Sequence, residues 1–125
     1  MSFAVLCLIA VIATAPFGLA FLLAPEATGN LYGIAGWTPG TLFVARLLGV
    51  GFLFMAGAVY AARHCADSAF QRRLATCFSL ASLLGAIVSG YSTMSGATNA
   101  MGWTASALYA FFTLAWASIA LRRRT

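Results

Sequence analysis

Apolar residues run through this chain in long unbroken stretches, and short polar clusters divide one stretch from the next. Residues 2–24 carry no charged side chain. They fit one bilayer crossing of about 20 apolar residues rising 1.5 Å each. Pro16, which lacks a backbone donor, predicts a bend within that helix. The next segment, "PEATGNLYGIAGWTPG" at 25–40, holds four glycines and two prolines and predicts a loop. Its Tyr32 and Trp37 suit the headgroup level, where amphipathic rings settle. Thr38 before Pro39 reads as an N-cap and first helical residue, so a second helix is predicted over about 40–62.

"RHCADSAFQRR", 63–73, is the one charged polar stretch inside the chain, and it is followed by 48 residues without Asp, Glu, Lys, Arg or His. A single straight helix of that length would reach about 72 Å, against a hydrocarbon core of roughly 30 Å. The run must therefore fold back, and "YSTMSGATNAMG", 91–102, supplies the turn. Four crossings follow, at about 2–24, 40–62, 74–92 and 103–121. The predicted fold is all-α: an integral membrane four-helix bundle forming a single domain over 1–125.

Composition agrees. The chain is 62% hydrophobic and 7% charged, whereas a soluble domain needs about 25% charged residues. Its net charge of +5 would suggest nucleic acid in a polar protein. Six of the seven arginines, however, sit at the ends of apolar spans, where they meet lipid headgroups, and a nucleic-acid partner is set aside. Three arginines fall in 63–73 and three at 122–124, with none in the other two loops. By the positive-inside rule this predicts an inner-membrane protein with both termini cytoplasmic. "ATA" at 13–15 resembles a signal-cleavage site. No basic residue precedes the apolar run and Pro16 follows at once, so the segment is expected to be a retained span.

Helices already in lipid associate through close packing and hydrogen bonds, which favours small residues at contacts. Ala45 and Gly49 form one small-xxx-small step, with Gly51, Gly57 and Ala58 as further close-approach positions. Ser79, Ser82, Ala86 and Gly90 continue a small-residue face on the third helix. Intramolecular packing is the favoured role, with self-association or a partner helix as the other. Ser106, Tyr109, Thr113 and Trp116 share one face of the fourth helix. Set against Ser79, Ser82 and Ser89, they would make a thin polar seam. That seam either bonds to neighbouring carbonyls as structure or lines a site for a quinone, a lipid headgroup or a small polar solute.

Arg46 lies seven positions past Pro39, roughly 10 Å along the axis and on the side away from the other arginines. Glu26, directly after Pro25, is the only acid on that side. A forked Glu26–Arg46 ion pair near the outer boundary would clamp the first helix to the second. Two other readings stand beside the clamp: an anion-binding or proton-responsive group beneath the Gly-rich loop, and a snorkelling point charge.

No catalytic constellation is present. The lone His64 leaves a bis-histidine haem without its second ligand, and His64 next to Cys65 lacks the spacing of a zinc site. No metal is expected, and no cofactor beyond a quinone. Asp67, among arginines, reads as a solvated loop residue. Cys7, Cys65 and Cys77 fall in the cytoplasmic half of this topology and are expected as free thiols.

"ARLLGVGFLFMAGAVYAAR", 45–63, resembles the second-helix pattern of the DoxX-like group of small bacterial four-helix membrane proteins, in which an Arg precedes a Gly-rich helix. The Pro25-to-Gly33 loop and the four-span layout are also similar. Arg46, Gly49 and Gly51 are the positions that carry across. Some members of that wider group look like subunits of quinone-linked oxidoreductases. The expected function is that of an accessory or scaffold subunit in a larger membrane assembly, with lipids and other membrane subunits, or further copies of itself, as partners. The alternative is a quinone-, lipid- or amphiphile-binding or transport module using the polar site around Arg46.

Overall fold

The computed structural model describes residues 1–122. Among them all regular structure is helical: α1 (Phe3–Leu23), α2 (Pro25–Leu31), α3 (Pro39–Ala62), α4 (Ser68–Met94) and α5 (Gly102–Ala120). Helices α1, α3, α4 and α5 are long and apolar enough to cross a membrane. They correspond to the four predicted crossings. Many bulky apolar side chains point outward, among them Phe54 at 79% and Leu114 at 73% exposed. Apolar surface of that extent is stable against lipid tails and costly against water.

The chain divides into two compact units, Cys7–Arg63 and Met1–Leu6 with the chain from His64 onward. Helix α1 runs uninterrupted through Pro16, and its first residues belong to the second unit.

In the first unit, α1 and α3 approach closely at glycine. A Cβ added to Gly49 would stand 2.7 Å from both the Gly18 carbonyl oxygen and the Leu22 amide nitrogen. Ala45, Gly49, Ala56 and Val59 form the buried face of α3. Its start falls where the sequence predicts, with Thr38 as N-cap and Pro39 first in the helix, and a capping box beyond that prediction fixes it. The Thr38 hydroxyl accepts from the Thr41 amide at 3.2 Å, while the Thr41 hydroxyl accepts from the Thr38 amide at 2.7 Å.

The segment 25–40 is not all loop, because α2 occupies its beginning. Pro25 at the first helical position has the right φ already, and Glu26 complements the positive end of the helix. The Thr28 hydroxyl and amide both bond back to the Ala24 carbonyl. Gly33 and Gly36, at φ 77° and 76°, then turn the chain towards Trp37 through conformations that side chains with a Cβ rarely adopt.

In the second unit α4 starts at Ser68, ahead of the apolar run that begins at Leu74. Asp67 is exposed and outside the helix, as expected, but its carboxylate also accepts from the Ala69 amide at 2.8 Å and so caps α4. Arg72 and Arg73 therefore ride on the first turns of a helix that extends beyond its apolar stretch. The turn between α4 and α5 is correspondingly shorter than 91–102 and uses Gly96 at φ 78°.

Helices α4 and α5 are antiparallel, as three pairings show: Ser79 with Thr113, Gly85 with Tyr109, and Ser89 with Ser106. At the other end from the turn, Trp116 stacks on Phe78 at 5.2 Å and meets the edge of Phe3 at 6.2 Å between ring centroids. The Arg122 guanidinium donates to the Met1 carbonyl. The start of the chain, the start of α4 and the end of α5 thus share one end of this unit.

Candidate functional site

The polar groups singled out by the sequence fall in two places, one in each unit. The first is an open depression of about 450 Å³ whose lining includes Leu23, Glu26, Ala27, Asn30, Leu42 and Arg46. The end of α1, residues from both turns of α2 and the first turns of α3 build it. Arg46 and Glu26 are both exposed. They line the same depression, but the expected forked ion pair is not formed: no contact within 4.0 Å joins them. Leu23 and Ala24, at the carbonyl end of α1 with its partial negative charge, line the same depression as Arg46.

Asn30 is oriented by its neighbour. The Trp37 indole N–H donates to the Asn30 Oδ1 at 2.9 Å, which assigns the oxygen and leaves the amide N–H pair as donors. The Trp37 ring covers Gly29 so closely that a Cβ there would stand 2.2 Å from it. Glycine at 29 thus permits the Trp37–Asn30 bond that supports one wall of the depression. Composition alone assigns Trp37 an interfacial place and no partner, since an indole–amide bond leaves no periodic signal.

The second place is the α4–α5 seam, most of which is visible in the sequence. The Ser79 hydroxyl donates to the Thr113 carbonyl at 3.0 Å, and the Ser89 and Ser106 hydroxyls meet at 2.9 Å. The Ser89 hydroxyl donates its one proton to the Gly85 carbonyl at 2.7 Å, so Ser106 donates to Ser89 and not to the Gly102 carbonyl 3.3 Å away, while Thr113 donates to the Tyr109 carbonyl. Ser82 is buried on the same helix, and Trp116 closes the far end among aromatic rings. Among the described residues no buried side-chain nitrogen or oxygen lacks a hydrogen-bond partner. The hydroxyl protons of Ser79, Ser89, Ser106 and Thr113 are thus taken up by bonds across the two helices or within one.

Three expected contact residues are placed differently. A Cβ at Gly51 or Gly57 would meet nothing within 4 Å, and Ala58 is exposed. They lie off the buried stripe of α3. Ala45 and Gly49 lie on it. On α4, Ala86 and Gly90 are half-buried, and a Cβ at Gly90 would make ordinary contacts with Ser106 and Trp103. Among the tight positions that sequence spacing missed are Gly18 and Gly85, the latter 2.6 Å from the Tyr109 ring if it carried a Cβ. Each packs against a neighbour from another helix, and only the pairing of helices shows it.

Comparison with family models, with curated proteins and with solved structures returned no match. Cys7, Cys65 and Cys77 are free thiols, buried, half-buried and exposed respectively. The Arg63 guanidinium lies 3.5 Å above the Tyr60 ring centroid and bonds to the Tyr60 carbonyl, so a cation ends α3 with its charge over an aromatic face. Arg123 and Arg124 lie outside the described residues.

Proposed function

We propose that this chain is a multi-pass inner-membrane protein, both termini cytoplasmic, acting as an accessory or scaffold subunit of a larger membrane assembly. The observation that carries the reading is the seam. Hydroxyls within helices could serve a polar substrate, but here they are spent on one another and on neighbouring carbonyls. Their work is to hold α4 against α5. The broad apolar surface left outside the packed faces suits lipids and neighbouring helices of other subunits. Arg72 and Arg73 lie at the same end of their unit as Arg122, in keeping with one cytoplasmic, arginine-bearing side. Likeness to the DoxX-like group, in the Arg46–Gly49–Gly51 pattern, fits the same role.

Purification in mild detergent tests it. Stoichiometric partner chains should co-purify, and Arg46→Gln should leave them bound. A chain that purifies alone from its native membrane would refute the scaffold role.

The Arg46 depression favours a second reading, a module that binds or transports a quinone, lipid or other amphiphile. On that reading the purified chain carries an extractable small molecule and loses it in Arg46→Gln.

A further inference from the structure

We propose that the depression holding Glu26, Asn30 and Arg46 binds the headgroup of a membrane phospholipid that carries a primary ammonium beside its phosphate. Arg46 and Asn30 take the phosphate and Glu26 takes the ammonium. The proposal rests on the second reading above, in which this depression is a ligand site, and it names the ligand's chemistry.

Two opposite charges line one depression without pairing. A simple anion there would satisfy Arg46 and be repelled by Glu26, and a simple cation would do the reverse. A zwitterion with its two charges a short link apart gives each side chain a partner. The guanidinium fork matches phosphate oxygens, and a carboxylate is the natural acceptor for the N–H groups of a primary ammonium. Asn30 adds donors to the phosphate side, because the Trp37 indole already occupies its oxygen.

Position and shape agree with a lipid. The depression lies where α1 ends and α3 begins, at the level where a crossing helix meets the headgroup layer. Leu23, Ala27 and Leu42 give it apolar walls, and it is open, so acyl chains can remain in the bilayer while the headgroup is held. Its volume of about 450 Å³ falls within the range of small-molecule sites.

The test presents the full chain, purified in mild detergent, with an equimolar mixture of phosphatidylethanolamine, phosphatidylcholine and phosphatidylglycerol of matched acyl chains. Native mass spectrometry reads which lipid is retained. Phosphatidylethanolamine should be enriched several-fold over both others. Glu26→Gln should abolish its advantage over phosphatidylcholine, and Arg46→Gln should lose the retained lipid altogether. Equal retention of the primary and quaternary ammonium lipids overturns the headgroup assignment; if that retention still needs Arg46, the ligand-site reading survives it. Retention indifferent to Arg46→Gln overturns both. Preference for phosphatidylglycerol means that Arg46 acts as a bare cation and also overturns the proposal. Should Glu26→Gln fail to fold, stepwise N-methylation of the lipid on the wild-type chain decides the same point. Soluble glycerophosphoethanolamine that competes as well as the intact lipid would overturn a membrane source.

Discussion

Gly49 of α3 lies so close to Gly18 of α1 that a Cβ on Gly49 would stand 2.7 Å from the Gly18 carbonyl oxygen. The obstacle is backbone, which cannot rotate away as a side chain can. Gly49→Ala should therefore destabilise the protein in detergent by about 1–3 kcal/mol, as overpacking does. Gly51→Ala, two residues on and facing open space, should be neutral or stabilising by up to about 1 kcal/mol through helix propensity. Denaturant titration followed by circular dichroism compares them, and equal losses from the two variants would refute the close approach.

Seam hydroxyls should couple weakly but measurably. A double-mutant cycle of Ser89→Ala and Ser106→Ala should return an interaction energy of about 0.6 kcal/mol, the average for such bonds between membrane helices. Strict additivity of the two single losses would show that the Ser89–Ser106 bond contributes nothing.

At Gly85 the neighbour is the Tyr109 ring, 2.6 Å from an added Cβ. Gly85→Ala should cost about 1–3 kcal/mol, and pairing it with Tyr109→Ala should recover some of that loss relative to the sum of the single changes. A double variant no better than that sum would place the clash elsewhere.

Asp67 caps α4 through the Ala69 amide. Asp67→Ala should lower stability by about 1 kcal/mol, and Asp67→Asn should keep most of it, since the amide oxygen can accept the same bond. If both substitutions are silent, the cap does not hold α4.

Orientation is open to labelling. In a variant with Cys7 and Cys77 replaced by alanine, Cys65 should resist a membrane-impermeant maleimide added to intact cells. A second variant, with Cys65 also replaced by alanine and Ser95→Cys introduced between α4 and α5, should react. Labelling of both sites from the outside would reverse or break the proposed topology.

The crossings were legible because uncharged length is a strong signal. Three of the four span starts agree with the helices to within a residue, Thr38–Pro39 marking one of them. The start of α4 was hidden because charged Arg72 and Arg73 look like loop by composition, while Asp67, the capping residue, sits among them. Helix α2 was hidden by its glycines, although Pro25 and Glu26 already carried helix-start chemistry. The seam could be read from spacings of three and four. Gly18 and Gly85 could not, because a glycine's importance depends on what faces it. The depression was half legible: Glu26 and Arg46 follow from charge bookkeeping, whereas Asn30 depends on where Trp37 comes to rest.

Only 6% of the most apolar 18 residues of α4 are buried. Most of that helix consequently reads its surroundings and not its neighbours, so Leu80, Leu84, Ile87 and Val88 are free to exchange among oily residues over generations. Selection should instead grip the narrow strip formed by Ala75, Ser79, Ser82, Gly85 and Ser89, where one added methyl group can prise the hairpin open.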